Sequence, residues 1–189
     1  MNLIESLAAH AAEDPKESAD RDRILAFARA HARPFDRAIV SGHLTGSGLV
    51  MSADGGLVLL LHHLKLHRWL QPGGHGEPGE QTGEEVAARE VREETGLEPR
   101  LHPAAPRPFD VDIHVIPARK ADPAHEHLDL RYLFIAEPHE ALREEPPEET
   151  GAHQGPRLAW FPVDEALAMD LDPGLLRMIR KARRFLSRG

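Results

Sequence analysis

Glu90, Glu93 and Glu94 are the residues whose type and spacing most directly suggest chemistry. Residues three and four apart share one face of an α-helix, so a helix through this stretch sets Glu90 one turn before the other two. Three carboxylates so placed repel one another, at about 0.2–0.5 kcal/mol per like-charge pair. A hard divalent cation relieves that repulsion. Mg²⁺ prefers oxygen ligands and is held by one or two carboxylates together with substrate phosphates and water. The competing reading of a Glu-rich helix is a solvated acidic face, and the neighbouring residues weigh against it.

Those neighbours run from Gly73 to Leu97. Gly74 is followed after five residues by Glu80, and the stretch closes on Arg89, Glu90, Val91, Arg92, Glu93, Glu94, Thr95, Gly96 and Leu97. This resembles the signature of the Nudix hydrolase family: Gly, five residues, Glu, seven residues, then Arg-Glu-apolar-any-Glu-Glu-any-Gly-apolar. The tail fits at every specified position, but eight residues separate Glu80 from Arg89. Thr82 and Glu85 have the spacing of a capping box, and Gly83 suits a helix interior poorly. The extra residue is therefore expected in the loop before Thr82, with the helix register from Val86 onward unchanged. Gly96 is placed to end the helix as a left-handed cap.

The resemblance implies an α+β fold of the Nudix type, an α/β/α sandwich around a mixed sheet. It implies hydrolysis of a diphosphate linkage in a nucleoside diphosphate joined to another moiety. Mg²⁺ (or Mn²⁺) would be held by Glu90, Glu93, Glu94 and the carbonyl of Gly73, with Arg89 orienting the carboxylates. It also implies a general base or extra metal ligand on a later loop. Glu144, Glu145, Glu148 and Glu149 are candidates there, and Glu149 is carried with the catalytic set. Two alternatives stand beside this reading. One is a Nudix-like ligand-binding domain without turnover. The other is an enzyme resembling isopentenyl-diphosphate isomerase, which Gly74-His75 and the nearby histidines favour, although such enzymes generally lack the intact Glu-Glu tail.

The elements that must position this motif can be read from hydrophobic spacing. Asn2 to Ala12 has helical spacing and Asp14-Pro15 ends it; a second helix is expected from Asp20 to Ala32 with Pro34 as its stop. These helices form an N-terminal extension, residues 1–34, before a Nudix domain at 35–189. Its expected role is a structural cap or dimer contact, making a homodimer possible. Arg37 to Met51 reads as a strand broken by glycines, and Leu57 to Leu61 as a strand buried on both faces.

Between these strands and the motif lie His62, His63, Lys65, His67, Arg68 and His75. None has the spacing of a defined zinc site, so Lys65, Arg68 and His75 are read as a cationic rim for phosphate. Phe109 to Ala118 alternates strictly, placing Asp110, Asp112 and His114 on one face. In 125–136 the same alternation sets His125, His127, Asp129 and Arg131 together. Two such faces could pair and line a polar pocket; a solvent-facing sheet side is the other reading. The pocket reading gives substrate contacts at Asp112, His127, Asp129 and Arg131, with Arg131 suited to grip phosphate in a fork. Arg157 to Val163 reads as the last strand. The final segment, with Leu175, Met178, Ile179, Ala182 and Phe185 opposite Arg177, Arg180, Lys181, Arg183 and Arg184, reads as a packing helix rather than a membrane-surface one.

Composition narrows the classes. The 189 residues suit one domain with an extension, and 41% apolar residues can fill a core. A formal net charge of −8 argues against a nucleic acid polymer as partner. No cysteine is present, so thiolate sites are excluded. The N-terminus lacks a basic, then apolar, secretory pattern, and no run is long and apolar enough to span a bilayer. A cytoplasmic enzyme acting on a small-molecule diphosphate, with no membrane partner, is the expectation.

Overall fold

The computed structural model describes residues 2–64, 66–118, 123–142 and 157–187. Strand parity organises the sheet. On β1 (Gly42–Met51) Leu44 and Val50 join one apolar cluster while Leu49 and Met51 join another. The same split occurs on β2 (Leu57–His63), with Leu59 against Val58 and Leu60, and on β7 (His125–Ile135), with Leu130 and Phe134 against Leu133. Successive strand residues point to opposite faces, so near-continuous apolar runs demand cover on both sides. Helices α1 (Leu3–Ala8), α2 (Pro15–Ala30) and α3 (Gly83–Thr95) supply one layer, and α4 (Val163–Ala168) and α5 (Pro173–Leu186) supply the other. The expected α/β/α sandwich is thus observed.

The sheet has eight strands, with β3 (Arg68–Leu70), β2, β1, β7 and β5 (Arg100–Leu101) in order. β4 (Gly73–His75) pairs with β1, β6 (Asp110–Ile116) with β7, and β8 (Leu158–Pro162) with β2. Among the described residues only the β1–β7 pairing is parallel, which makes the sheet mixed. Among the described residues no helix is long and apolar enough to cross a membrane.

Two boundaries differ from the sequence reading. Asp14-Pro15 starts a helix as well as following one: Asp14 caps α2 by accepting from the Glu17 N–H, and Pro15 occupies its first turn, where a missing N–H costs nothing. α2 therefore begins five residues before Asp20. β1 begins at Gly42, because residues 36–41 turn under hydrogen bonds from the Ile39 N–H to Asp36 and the Gly42 N–H to Ile39. Helices α1 and α2 pack into the main core, since Leu7, Ile24 and Ala28 share a cluster with Val86, Val91 and Leu130.

The placement of α3 depends on glycines in β1. A Cβ at Gly46 would stand 2.5 Å from the Gly83 carbonyl oxygen, and one at Gly48 would stand 2.5 Å from Val91 Cγ2. Their absence lets the helix rest almost on the strand backbone. Thr82 caps α3 with the full reciprocal box to Glu85, and Gly96 ends it at φ 78°.

Candidate active site

Arg89 is the hub of the Glu-bearing face of α3. Its Nε and Nη2 donate to the two oxygens of Glu80 at 2.9 and 3.3 Å, and its Nη1 donates to Glu90 at 3.0 Å and to Glu93 at 2.9 Å. Nη2 also donates to the carbonyl of His75 at 2.7 Å, which ties the helix to β4. The extra residue before the helix is absorbed by the loop. The Glu77 N–H donates to the Glu80 carboxylate, the Glu80 N–H to the Glu77 carbonyl, and Gly79 takes φ 107°. Glu80 consequently reaches Arg89 despite the eight-residue spacing.

Glu94 is anchored separately, accepting from the Gly73 N–H at 3.0 Å. Gly74 leaves room for Glu90: a Cβ there would stand 2.3 Å from Glu90 Oε1. Burial pushes the Glu90 carboxyl above its ordinary range; Arg89 pulls the other way, and Glu93 and Glu80 add to the rise. A half-buried carboxylate among like charges, beside a glycine turn, is a donor set that suits a hard cation.

The polar strand faces meet as their spacing implies, with Asp112 opposite Asp129, His114 opposite His127 and Asp110 opposite Arg131. The open pocket wall expected at Asp112, Asp129 and Arg131 is corrected, however. Arg131 is 3% exposed and pairs with Asp129 at 2.9 Å, Asp112 at 3.2 Å and Asp110 at 3.4 Å. Asp129 also accepts from Thr45 and Ser47 on β1. α5 closes the layer, with Arg177 donating to both oxygens of Asp110. α2 reaches it from the side through Lys16 to Asp112. The physical reason is charge: a buried guanidinium needs partners, and three carboxylates on adjacent strands already occupy its fork. Although burial would raise it, Asp112 is held well below the ordinary carboxylate range by His114, Arg131 and Lys16.

Of the remaining expected residues, Arg68 is exposed on β3, and His75 and His127 are half-buried with their Nε2 atoms 3.1 Å apart. Lys65 and Glu144, Glu145, Glu148 and Glu149 lie outside the described residues. A group that sequence spacing missed is His43 with His75, His125 and His127, whose potential ligand atoms all lie within 4.8 Å of one another. The available signal was the period-two pairing of His125 and His127. His43 and His75 come from distant segments that only strand register brings alongside.

With this geometry in place, comparison with known proteins assigns the family. A family model described as the NUDIX domain matches residues 42–182. This chain belongs to the Nudix family. Nudix proteins are typically hydrolases that act on pyrophosphate bonds. The Caenorhabditis elegans Ap4A hydrolase, in a binary complex, shares the fold at a TM-score of 0.54 and 18% identity, over 77% of this chain and 98% of that one. The NUDIX domain of Shewanella oneidensis NrtR, solved with ADP ribose, aligns at 0.51 and 20% identity over 98% and 99%. A mutT/nudix family protein from Listeria innocua aligns at 0.51 and 22% identity over 77% and 94%. At these identities the likeness shows the fold. No curated protein sequence matches the chain.

Proposed function

We propose that this Nudix chain hydrolyses a diphosphate linkage in a nucleoside diphosphate joined to another moiety, with Mg²⁺ or Mn²⁺ as cofactor. The observation that carries the reading is the carboxylate cradle around Arg89, set against the Gly73-Gly74 turn. Glu90, Glu93 and Glu94, with the carbonyl of Gly73, would hold the ion. When bound, it supplies positive charge against the diphosphate oxygens and favours ionisation of the attacking water.

The chain's own residues do the rest. Arg89 holds Glu80, Glu90 and Glu93 in one arrangement, and its planar fork suits that task better than a lysine. A carboxylate accepts the proton of the attacking water, with Glu149 and its neighbours in the 144–149 stretch as the proposed source. Arg68 and Lys65 offer cationic contacts to phosphate at the rim. The cytoplasm, where nucleotide diphosphates and Mg²⁺ are available, is the proposed setting.

A panel of diphosphates with Mg²⁺ or Mn²⁺ tests the reading. It starts from Ap4A and ADP ribose, the compounds met in the structural neighbours, and extends to nucleotide sugars and oxidised nucleotides. Inorganic phosphate is measured with and without added phosphatase. Metal-dependent turnover of at least one compound is expected, and Glu94→Gln should abolish it. No turnover across the panel, or a variant as fast as the wild type, rejects the proposal.

A further inference from the structure

Beside the carboxylate cradle, four imidazoles converge on the same sheet. β1 contributes His43, β4 contributes His75, and β7 contributes His125 and His127. His43 is central: its ring centroid lies 5.1 Å from those of His75 and His127 and 5.2 Å from that of His125. We propose that His43, His75, His125 and His127 form a second metal centre, which binds one borderline divalent ion of the Zn²⁺ class and clips β4 to β1 and β7.

Geometry carries the proposal. A tetrahedral ion with its nitrogens at about 2.0–2.1 Å sets those nitrogens about 3.3 Å apart. His75 Nε2 and His127 Nε2 already stand 3.1 Å apart, and the whole set lies within 4.8 Å. Side-chain rotation on rigid strands closes the difference.

The second observation is His43 itself. It is 3% exposed, and neither ring nitrogen makes a hydrogen bond of normal geometry. A backbone contact to the Ile39 carbonyl ranks behind burial, His125 and Arg37 among the influences on the ring. A buried polar atom without a partner is costly, and an ion that takes the lone pair removes the cost. The third observation is a second-shell bond: His125 Nδ1 lies 2.9 Å from the Pro123 carbonyl. A carbonyl only accepts, so Nδ1 carries the proton and Nε2 keeps its lone pair for a ligand.

The chemistry selects the ion. Imidazole nitrogen suits Zn²⁺, Co²⁺, Ni²⁺ and Cu²⁺, whereas Mg²⁺ takes oxygen, so the two centres are distinct in donor type. His114 packs on His127 and lies 3.5 Å from Asp112, which links the imidazole group to the buried salt-bridge layer. A bound ion would also stiffen β4, whose His75 carbonyl holds Arg89. The proposal stands apart from the hydrolytic one, because its donors are different residues.

The test uses untagged, chelator-stripped full chain titrated with Co²⁺, read by visible d–d absorption, which is intense for a tetrahedral nitrogen site and weak for an octahedral oxygen site. One equivalent should saturate the intense band. Zn²⁺ should displace it, and excess Mg²⁺ should not. His75→Gln and His125→Gln should each weaken Co²⁺ binding about tenfold or more, while the double variant Glu93→Gln/Glu94→Gln should keep the band. Thermal melts in chelator establish which variants fold, and Zn²⁺ should raise the melting temperature of the wild type but not of a folded histidine variant. A wild-type spectrum that stays weak overturns the proposal. So does a band that survives both histidine variants, or one lost with the glutamates.

Discussion

The glutamate face of α3 and the histidine group at the sheet end present the same physical problem, metal-suited donors crowded together, and solve it with different means. On α3 the donors lie within one helical turn and a half, so their relative positions follow from helix geometry, and Arg89 supplies a resident positive charge among them. In the histidine group the donors come from three strands, and register alone brings them together: β1–β7 pairing sets His43 against His127, and β4–β1 pairing sets His75 against Thr45. Next to the histidines along the same face of β7 lies the buried layer of Asp110, Asp112, Asp129, Arg131 and Arg177, in which charges satisfy each other. Closely similar residue types thus give a half-buried cradle, a closed salt-bridge layer and an imidazole group. Surroundings decide which.

The contrast can be broken at its strongest point first. Glu94→Gln should lower turnover about 10²–10⁴-fold while leaving the thermal midpoint near that of the wild type. A matched loss of folding would instead make the α3 glutamates structural. Asp110→Asn removes a shared partner of Arg131 and Arg177 and should cost about 3–5 kcal/mol, read by urea unfolding. A loss under 1 kcal/mol, the scale of surface pairs at roughly 0–1 kcal/mol, would show that the layer behaves as exposed ion pairs do.

Gly74→Ala drives a methyl into Glu90 and should reduce turnover about 10²-fold through misplacement, with little change in stability. Unaltered kinetics would mean that Glu90 can shift freely. The link between α2 and α5 should show in acid. Burial alone would raise the pKa of Glu17, but His10, the Glu13 N–H and Lys181 outweigh it and bring it to about 2, against 4.5 when unfolded. Its contribution is therefore complete above about pH 4.5 and is lost as pH falls toward 2. Glu17→Gln should flatten the slope of unfolding free energy over that window, and an unchanged slope would remove Glu17 from the acid response. The smallest effect expected is Thr82→Ala, about 1 kcal/mol through loss of the α3 cap, measured by thermal or urea unfolding.

Local patterns were legible where the cause is local. Thr82 and Glu85 announce the cap, Gly96 the stop, and strict alternation the strands β6 and β7, because each depends on neighbours a few positions away. The N-terminal boundary was misread because Asp-Pro serves equally as an end signal for one helix and a cap for the next. The open-pocket reading of Asp112, Asp129 and Arg131 failed for a different reason. Alternation tells which residues share a face, and it does not tell what covers that face. The cover is Arg177 of α5, 67 residues from its partner Asp110, and Lys16 of α2, 96 residues from its partner Asp112.

Sequence by itself determined the α/β/α class, the Nudix motif and the register of Glu90, Glu93 and Glu94, since helical periodicity and a contiguous signature need no distant partner. Tertiary structure decided that Glu80 reaches Arg89 across a longer loop, that α5 turns Arg177 inward, and that His43, His75, His125 and His127 meet. Those outcomes depend on strand pairing and on burial, where a charge or an imidazole takes whatever partner the opposite chain segment delivers.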